Sequence, residues 1–358
     1  MTTVKVIGAG SIGNHLAHGC RSRGWDVTIV DLSPEALERT RNTIYPSRYG
    51  VWDDAITLAT PDQVTEKVFD IVIVGTPPAT HLGVATAELR DTSPQLMLIE
   101  KPLSHPDEVA IRDFVHLAQE SPTRVLVGYN QRHKPNTHQF LEAAKDPALG
   151  QLLGLSSHML ESWDGILKAH FWMASEKDSY LAFTDQGGGA LLEHSHALNL
   201  MLHFAQELGQ GNAVKVDATI DWVNHESGRY DRDTKLNVTL DSGLVAEVRQ
   251  DLHTWPAKKE AVATFEKGSV VWTMGDSSDS VTLVAADGTQ KNRWDFPKKR
   301  PDDFSGEITH LGDLLETPKL PSSLDIEHGL RVMDVALAAI ESSATGATAS
   351  VSDLGMID

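Results

Sequence analysis

The stretch "VKVIGAGSIG", Val4–Gly13, decides how the chain is read. A short β-branched run ends in G-x-G-x-x-G, and a helix-like segment follows at once. A strand that feeds a helix through such a turn opens a βαβ unit. Gly8 suits the tight turn, Gly10 lets main chain approach a pyrophosphate, and Gly13 lets the helix lie close to the sheet. Ser11 and Ile12 complete the loop, with phosphates expected at the helix N-terminus. Asp31 closes the next apolar run. Its carboxylate is expected to accept from ribose hydroxyls and to repel a 2′-phosphate, which favours NAD over NADP.

Outward from that stretch, short apolar runs recur at Asp26–Asp31, Asp70–Thr76, Gln95–Lys101 and Arg124–Asn130. Helical patterns separate them at Ser33–Ile44, His81–Arg90 and Pro106–Glu120. Ser33-Pro34 and His105-Pro106 place proline at an expected first helical position. Alternation of this kind predicts a doubly wound parallel sheet over residues 1–130.

Past Asn130 the pattern changes. A helix is expected over Asn136–Lys145, then a strand from Gln151 to Trp163 and an irregular aromatic stretch to Gln186. Longer strands follow at Ala213–Val223, Lys235–Leu240, Leu244–Leu252, Ala261–Met274 and Ser280–Phe296, with turn signals "DSG", "EKG" and "ADG". Helices Asp302–Glu316 and Leu324–Ser343 close the chain. Residues 131–358 therefore read as an α+β domain with an open, mostly antiparallel sheet. The last helix is free to pack back on the first domain.

The 358 residues carry 50 acidic against 31 basic side chains, a formal charge of -19. Such a surface repels nucleic acid and anionic membranes, so neither is an expected partner. The single cysteine, Cys20, excludes an intrachain disulfide and a cysteine-based zinc site. The start "MTTVKVIGAG" shows no basic and apolar leader, and the expected location is the cytoplasm.

Further motifs stand in order after "GAGSIG": "VGTPPATH" (Val74–His81), "EKPL" (Glu100–Leu103), "VGYNQRHKP" (Val127–Pro135) and "GGGALLEHSH" (Gly187–His196). Together they resemble the Gfo/Idh/MocA oxidoreductases, the glucose-fructose oxidoreductase and inositol dehydrogenase group. The likeness extends to "GLRVMDVALAAIESSATG" (Gly329–Gly346). It implies an NAD-dependent dehydrogenase acting on a hydroxyl of a sugar, cyclitol or nucleotide-sugar. It further implies Lys101 as the active-site lysine, a cis peptide before Pro102, and His196 as the catalytic histidine. Thr76, Pro77, His81 and Glu100 are then expected beside the cofactor. One departure is plain: the family sets three intervening residues between an aspartate and the histidine, with another aspartate three positions after it. Here Glu193 precedes His196 by two intervening residues, and the later position is Asn199.

Oxidising a secondary alcohol requires loss of a hydride and removal of the hydroxyl proton. Histidine, with an unperturbed pKa of about 6.5, suits the proton. Lysine, near 10.4, better polarises the oxygen. His196 is thus the expected base and Lys101 the polarising group, with shared proton transfer left open. On one helix Glu193 and His196 share a face, so Glu193 is expected to orient the imidazole and raise its basicity. His194 lies on another face, toward substrate or solvent. Arg132, after the last strand of the first domain, and Trp172 and Tyr180, in the aromatic stretch, are further substrate-binding candidates.

Glu193-x-x-His196 and Glu307-x-x-His310 match halves of a di-metal bundle site, but the strand-rich second half offers no bundle, and no metal is expected. Two other functions fit the same motifs: a redox-assisted glycoside hydrolase holding NAD, and a non-catalytic NAD-binding sensor. Retention of both Lys101 and His196 argues against the sensor. The open sheet face is expected to pair copies of the chain into a homodimer or homotetramer.

Overall fold

The computed structural model describes residues 1–64, 68–168 and 173–355. The first apolar runs form a six-stranded parallel sheet. Its strands are β1 (Thr3–Ile7), β2 (Asp26–Val30), β3 (Ile56–Ala59), β4 (Ile71–Val74), β5 (Leu96–Glu100) and β6 (Arg124–Gly128), in the order β3-β2-β1-β4-β5-β6. Every residue of β4 and β5 is buried, as a sheet covered on both faces requires. The sequence predicts five of these strands. The sixth, β3, is a four-residue edge strand whose alternating burial is too short to stand out.

Five helices serve this sheet: α1 (Ser11–Ser22), α2 (Pro34–Arg39), α3 (Tyr45–Tyr49), α4 (Pro78–Asp91) and α5 (Glu108–Glu120). Ser33 caps α2 by accepting from the Ala36 N–H, with Pro34 at the first position, as expected. The expected start at Pro106 is corrected: Asp107 is the cap, accepting from the Ala110 N–H at 3.0 Å, and α5 begins at Glu108. An aspartate able to accept that bond outcompetes the proline just before it.

The remainder builds a nine-stranded sheet. After α6 (Pro135–Ala144) come β7 (Leu152–Leu160), α7 (Trp163–Lys168), α8 (Ala190–Glu193) and α9 (His196–Glu207). Then follow β8 (Ala213–His225), β9 (Gly228–Leu240), β10 (Val245–Asp251), β11 (Lys258–Phe265), β12 (Gly268–Thr273), β13 (Ser278–Ala285) and β14 (Gln290–Pro297). Helices α10 (Ser305–Glu316) and α11 (Ile326–Thr345) precede the short β15 (Ala349–Ser350). The order is β14-β13-β12-β11-β7-β10-β9-β8-β15, with β7 and β10 parallel and the other neighbours antiparallel. The two longest predicted strands are hairpins, folded at the "EKG" and "ADG" turns that lie inside them.

Helices α6, α9 and α11 pack on one face of this sheet. On the opposite face His158 of β7 meets Glu247 at 2.9 Å and Glu260 at 3.6 Å, with Val245 more than half exposed. That face carries the carboxylates of Glu247 and Glu260 around His158.

Two devices join the sheets. Ahead of α11, the Val127 N–H donates to Leu324 O at 2.8 Å and Leu126 bridges Asp325, so this segment lies along the free edge of β6. Arg124 clamps the Asp325 carboxylate through Nε at 2.7 Å and Nη2 at 2.8 Å. Farther along, buried Lys134 and Lys298 both contact Asp279 and Asp303, fastening β13 to the turn before α10. No helix among the described residues is long and apolar enough to cross a membrane.

Candidate active site

A cleft of about 560 Å³ opens where the strand order reverses between β1 and β4 and runs to the ends of the central strands β7 and β11 of the second sheet. Gly8, Ala9, Gly10, Ser11 and Ile12 line one end. Gly8 holds φ +111°, and a Cβ there would meet Gly75 O at 2.6 Å. A Cβ at Gly13 would collide with Gly8 O, whereas one at Gly10 would enter open space. Helix α1 has no side-chain cap and no acidic residue in its first turn. Its N-terminal N–H groups therefore face the cleft without competition, which fits a dinucleotide's phosphates. Asp31 also lines this end, accepting from the Ala9 N–H at 2.8 Å and the Ser33 N–H at 2.9 Å. Those two bonds leave carboxylate lone pairs for ribose hydroxyls.

Thr76, Pro77 and Glu100 line the middle. Burial pushes the Glu100 carboxyl up to about 7 against the opposing pull of Lys101. His81 does not line the cleft, and its expected place beside the cofactor is corrected. It is buried, with Nε2 2.7 Å from Thr76 O and Nδ1 3.0 Å from Pro102 O. Burial pushes it down to about 4, so it is neutral and donates to one carbonyl at a time. It staples the Thr76 turn to the Lys101–Pro102 peptide, which is cis.

The three glycines before α8 let main chain pack where side chains would not fit. A Cβ at Gly188 would strike the carbonyls of Tyr180 and Leu181, and one at Gly189, at φ +88°, would strike the Asp231 carboxylate. Asp231 of β9 caps α8 from a distance, accepting from the Leu191 N–H at 2.6 Å. Gln250 of β10 donates to Ala190 O and Leu191 O. Neither residue carries a local signal, which is why the sequence does not reveal them.

The single helix expected to carry both Glu193 and His196 is interrupted: α8 ends at Glu193 and α9 starts at His196. Glu193 is turned to Lys101 instead of serving as a bonded partner of His196. Lys101 Nζ donates to Glu193 O at 2.8 Å and lies 3.3 Å from Glu193 Oε2, which also accepts from the Tyr180 hydroxyl at 3.3 Å. His196 lines the same wall, its ring edge-on to Tyr129 at 5.7 Å, and Nδ1 has no hydrogen-bond partner among the described residues. Burial, then the charge of Lys101, holds this imidazole well below its ordinary pKa, hence neutral and able to accept a proton. His194 and Tyr180 line the wall as well.

Arg132 is corrected as a substrate contact. It is 2% exposed, donates to Asn199 Oδ1 and Ser323 O, both at 2.8 Å, and braces α9 from behind. Trp172 lies outside the described residues. Glu161, Lys259 and Arg39, which the sequence does not single out, line the cleft. Among the described residues Asp233, Asp251 and His253 bring possible metal ligands together, but Arg249 already sits 3.0 Å from Asp233.

Residues 3–69 match the family model for the 3-hydroxyacyl-CoA dehydrogenase, NAD binding domain. No curated protein matches the sequence. Among solved structures, levoglucosan dehydrogenase in complex with NADH and levoglucosan is similar over 98% of this chain and 99% of that one, at 16% identity and a TM-score of 0.78. An aldose-aldose oxidoreductase from Caulobacter crescentus, complexed with glycerol, gives 98% and 99% at 17% identity and 0.76. GenD2 from gentamicin A biosynthesis, in complex with NAD, gives 98% and 96% at 18% identity and 0.74. The chain thus has the two-sheet fold of these oxidoreductase structures, and its N-terminal end matches the model of an NAD binding domain.

Proposed function

We propose that this protein is an NAD-dependent dehydrogenase that oxidises or forms a secondary hydroxyl on a sugar-like polyol, with the cofactor domain ending near residue 130. The observation that carries the reading is the meeting of the "GAGSIG" loop, Lys101 and His196 in one cleft. Bound NAD supplies the hydride acceptor. Lys101, anchored by Glu193, has an N–H left to polarise the substrate oxygen, since an ammonium carries three donors. Neutral His196 takes the hydroxyl proton in oxidation and returns it in reduction. Similarity to structures holding levoglucosan and glycerol supports a polyol substrate. We infer a cytoplasmic home, consistent with a buried free Cys20, and pairing of copies through the uncovered face of the second sheet.

NADH absorbance at 340 nm, read across sugars, cyclitols and nucleotide-sugars, tests the reading. Turnover with at least one polyol is expected, with Lys101→Ala and His196→Ala each slowing it roughly 100-fold or more. An unchanged rate in both variants would sink it.

A further inference from the structure

Beyond the hydride-transfer residues, the cleft holds a second lysine–glutamate pair with no part in that chemistry. Glu161, just after β7, and Lys259, on β11 opposite Met159, meet at 2.6 Å and are each about 20% exposed on their side chains. Both line the cleft together with Met159, His194 and Met274. The pair is built in: a Cβ at Gly165 would come within 2.7 Å of Glu161 Oε1, so the first turn of α7 lies directly on the carboxylate. His194 stands among the charges of Glu193, Lys259, Glu161 and Lys101, and its buried Nε2 has no hydrogen-bond partner among the described residues.

We infer that Glu161 and Lys259 recognise adjacent hydroxyls of the substrate and select an uncharged sugar or cyclitol over an acidic one. This rests on the dehydrogenase reading above. A hydroxyl both donates and accepts, so one hydroxyl accepts from Lys259 Nζ while its neighbour donates to Glu161, without breaking the ion pair. His194 Nε2 provides a third point of contact. A carboxylate or phosphate finds no such place. Both lysines of this wall are already matched, Lys101 by Glu193 and Lys259 by Glu161. An added anion would lie against those carboxylates in a poorly solvated pocket, where like charges repel strongly.

The test uses the NAD-loaded protein and two readouts, calorimetric affinity and NADH formation, with glucose, myo-inositol, glucuronate and glucose 6-phosphate as probes. The neutral probes are expected to bind at least about 10-fold more tightly than the charged analogues. Lys259→Met should weaken neutral binding roughly 10- to 100-fold, the range for a hydrogen bond to a charged group. Glu161→Gln leaves Lys259 unmatched and should shift preference toward glucuronate, an inversion that a merely structural residue would not produce. Unchanged NAD affinity in both variants shows that each is folded, and the wild-type comparison needs no variant.

Charged probes binding as tightly as neutral ones would overturn the proposal, as would no binding of any probe or an unaltered preference in Glu161→Gln. Selective neutral binding without NADH would uphold recognition and overturn the dehydrogenase reading. NADH formation without selectivity would do the reverse.

Discussion

At the scale of single residues, Glu193 separates two accounts of the site. Its carboxylate meets Lys101 and Tyr180, and the charges that act on His196 come from Lys101, His194, Lys134 and Lys259. Glu193→Gln should therefore slow turnover about 10-fold by loosening Lys101, which then keeps the main-chain carbonyl and only a neutral amide oxygen in place of the carboxylate. The acid limb of the kcat/KM pH profile should stay where it is. A limb displaced by a unit or more would show that Glu193 tunes the histidine after all. In the wild type, a base held below the usual histidine range remains unprotonated further into acid. The limb is expected below pH 6.5, the ordinary imidazole value. A limb above 6.5 would contradict the burial of His196.

Among the elements, α8 is the weakest and the most consequential, being four residues long and ending on Glu193. Its first turn depends on Asp231, whose carboxyl burial pushes up to about 7. Asp231→Ala should cost about 1–3 kcal/mol in chemical denaturation by orphaning the Leu191 N–H. It should also lower kcat, while Asp231→Asn retains an acceptor and most of the stability. Equal losses in both variants would count against the capping role. Element existence was largely legible in the sequence, because buried parallel strands and the glycine turn leave local marks. What it hid follows from the reach of those marks. The stretch "ALLEHSHALNL" contains no glycine or proline to mark the break at His194–Ser195. The alternation within Ala261–Met274 persists across its turn, so two strands look like one. Lys101 with Glu193 and Asp231 with Leu191 are pairings across sequence, to which a local pattern is blind. His81 and Arg132 lie near cleft-lining residues in the chain yet turn inward, because both are buried on carbonyls and amides and not on the cleft.

For the whole molecule, the buried histidines set the response to acid. Burial pushes His81 and His328 down to about 4 and His133 to about 3, and lowers His203 and His310 as well. Each has a folded pKa beneath its unfolded value of about 6.5, so the unfolded chain binds the extra protons. Their contribution to stability is complete above pH 6.5 and is lost as pH falls toward 4. Glu100, Asp231 and Asp334, pushed up to about 7, act in the opposite sense over the same window. The histidines outnumber them, and His133 stacks on His310 at 4.1 Å, where two imidazolium rings would repel. Thermal melts should show Tm falling from pH 6.5 to 4.5, and a rise over that range would refute this balance.

The segment laid along β6 has a bearing on biosynthesis. Until Leu324 and Asp325 leave the ribosome, the edge of the first sheet has nothing to pair with, although its own six strands are complete by Gly128. For almost 200 further residues (128 to 325) the nascent chain carries an open strand edge of the kind that recruits chaperones or neighbouring chains. Arg124, waiting at that edge for the Asp325 carboxylate, is the latch that ends this interval. Arg124→Ala should accordingly reduce soluble yield on expression more than it reduces the Tm of the protein that does fold.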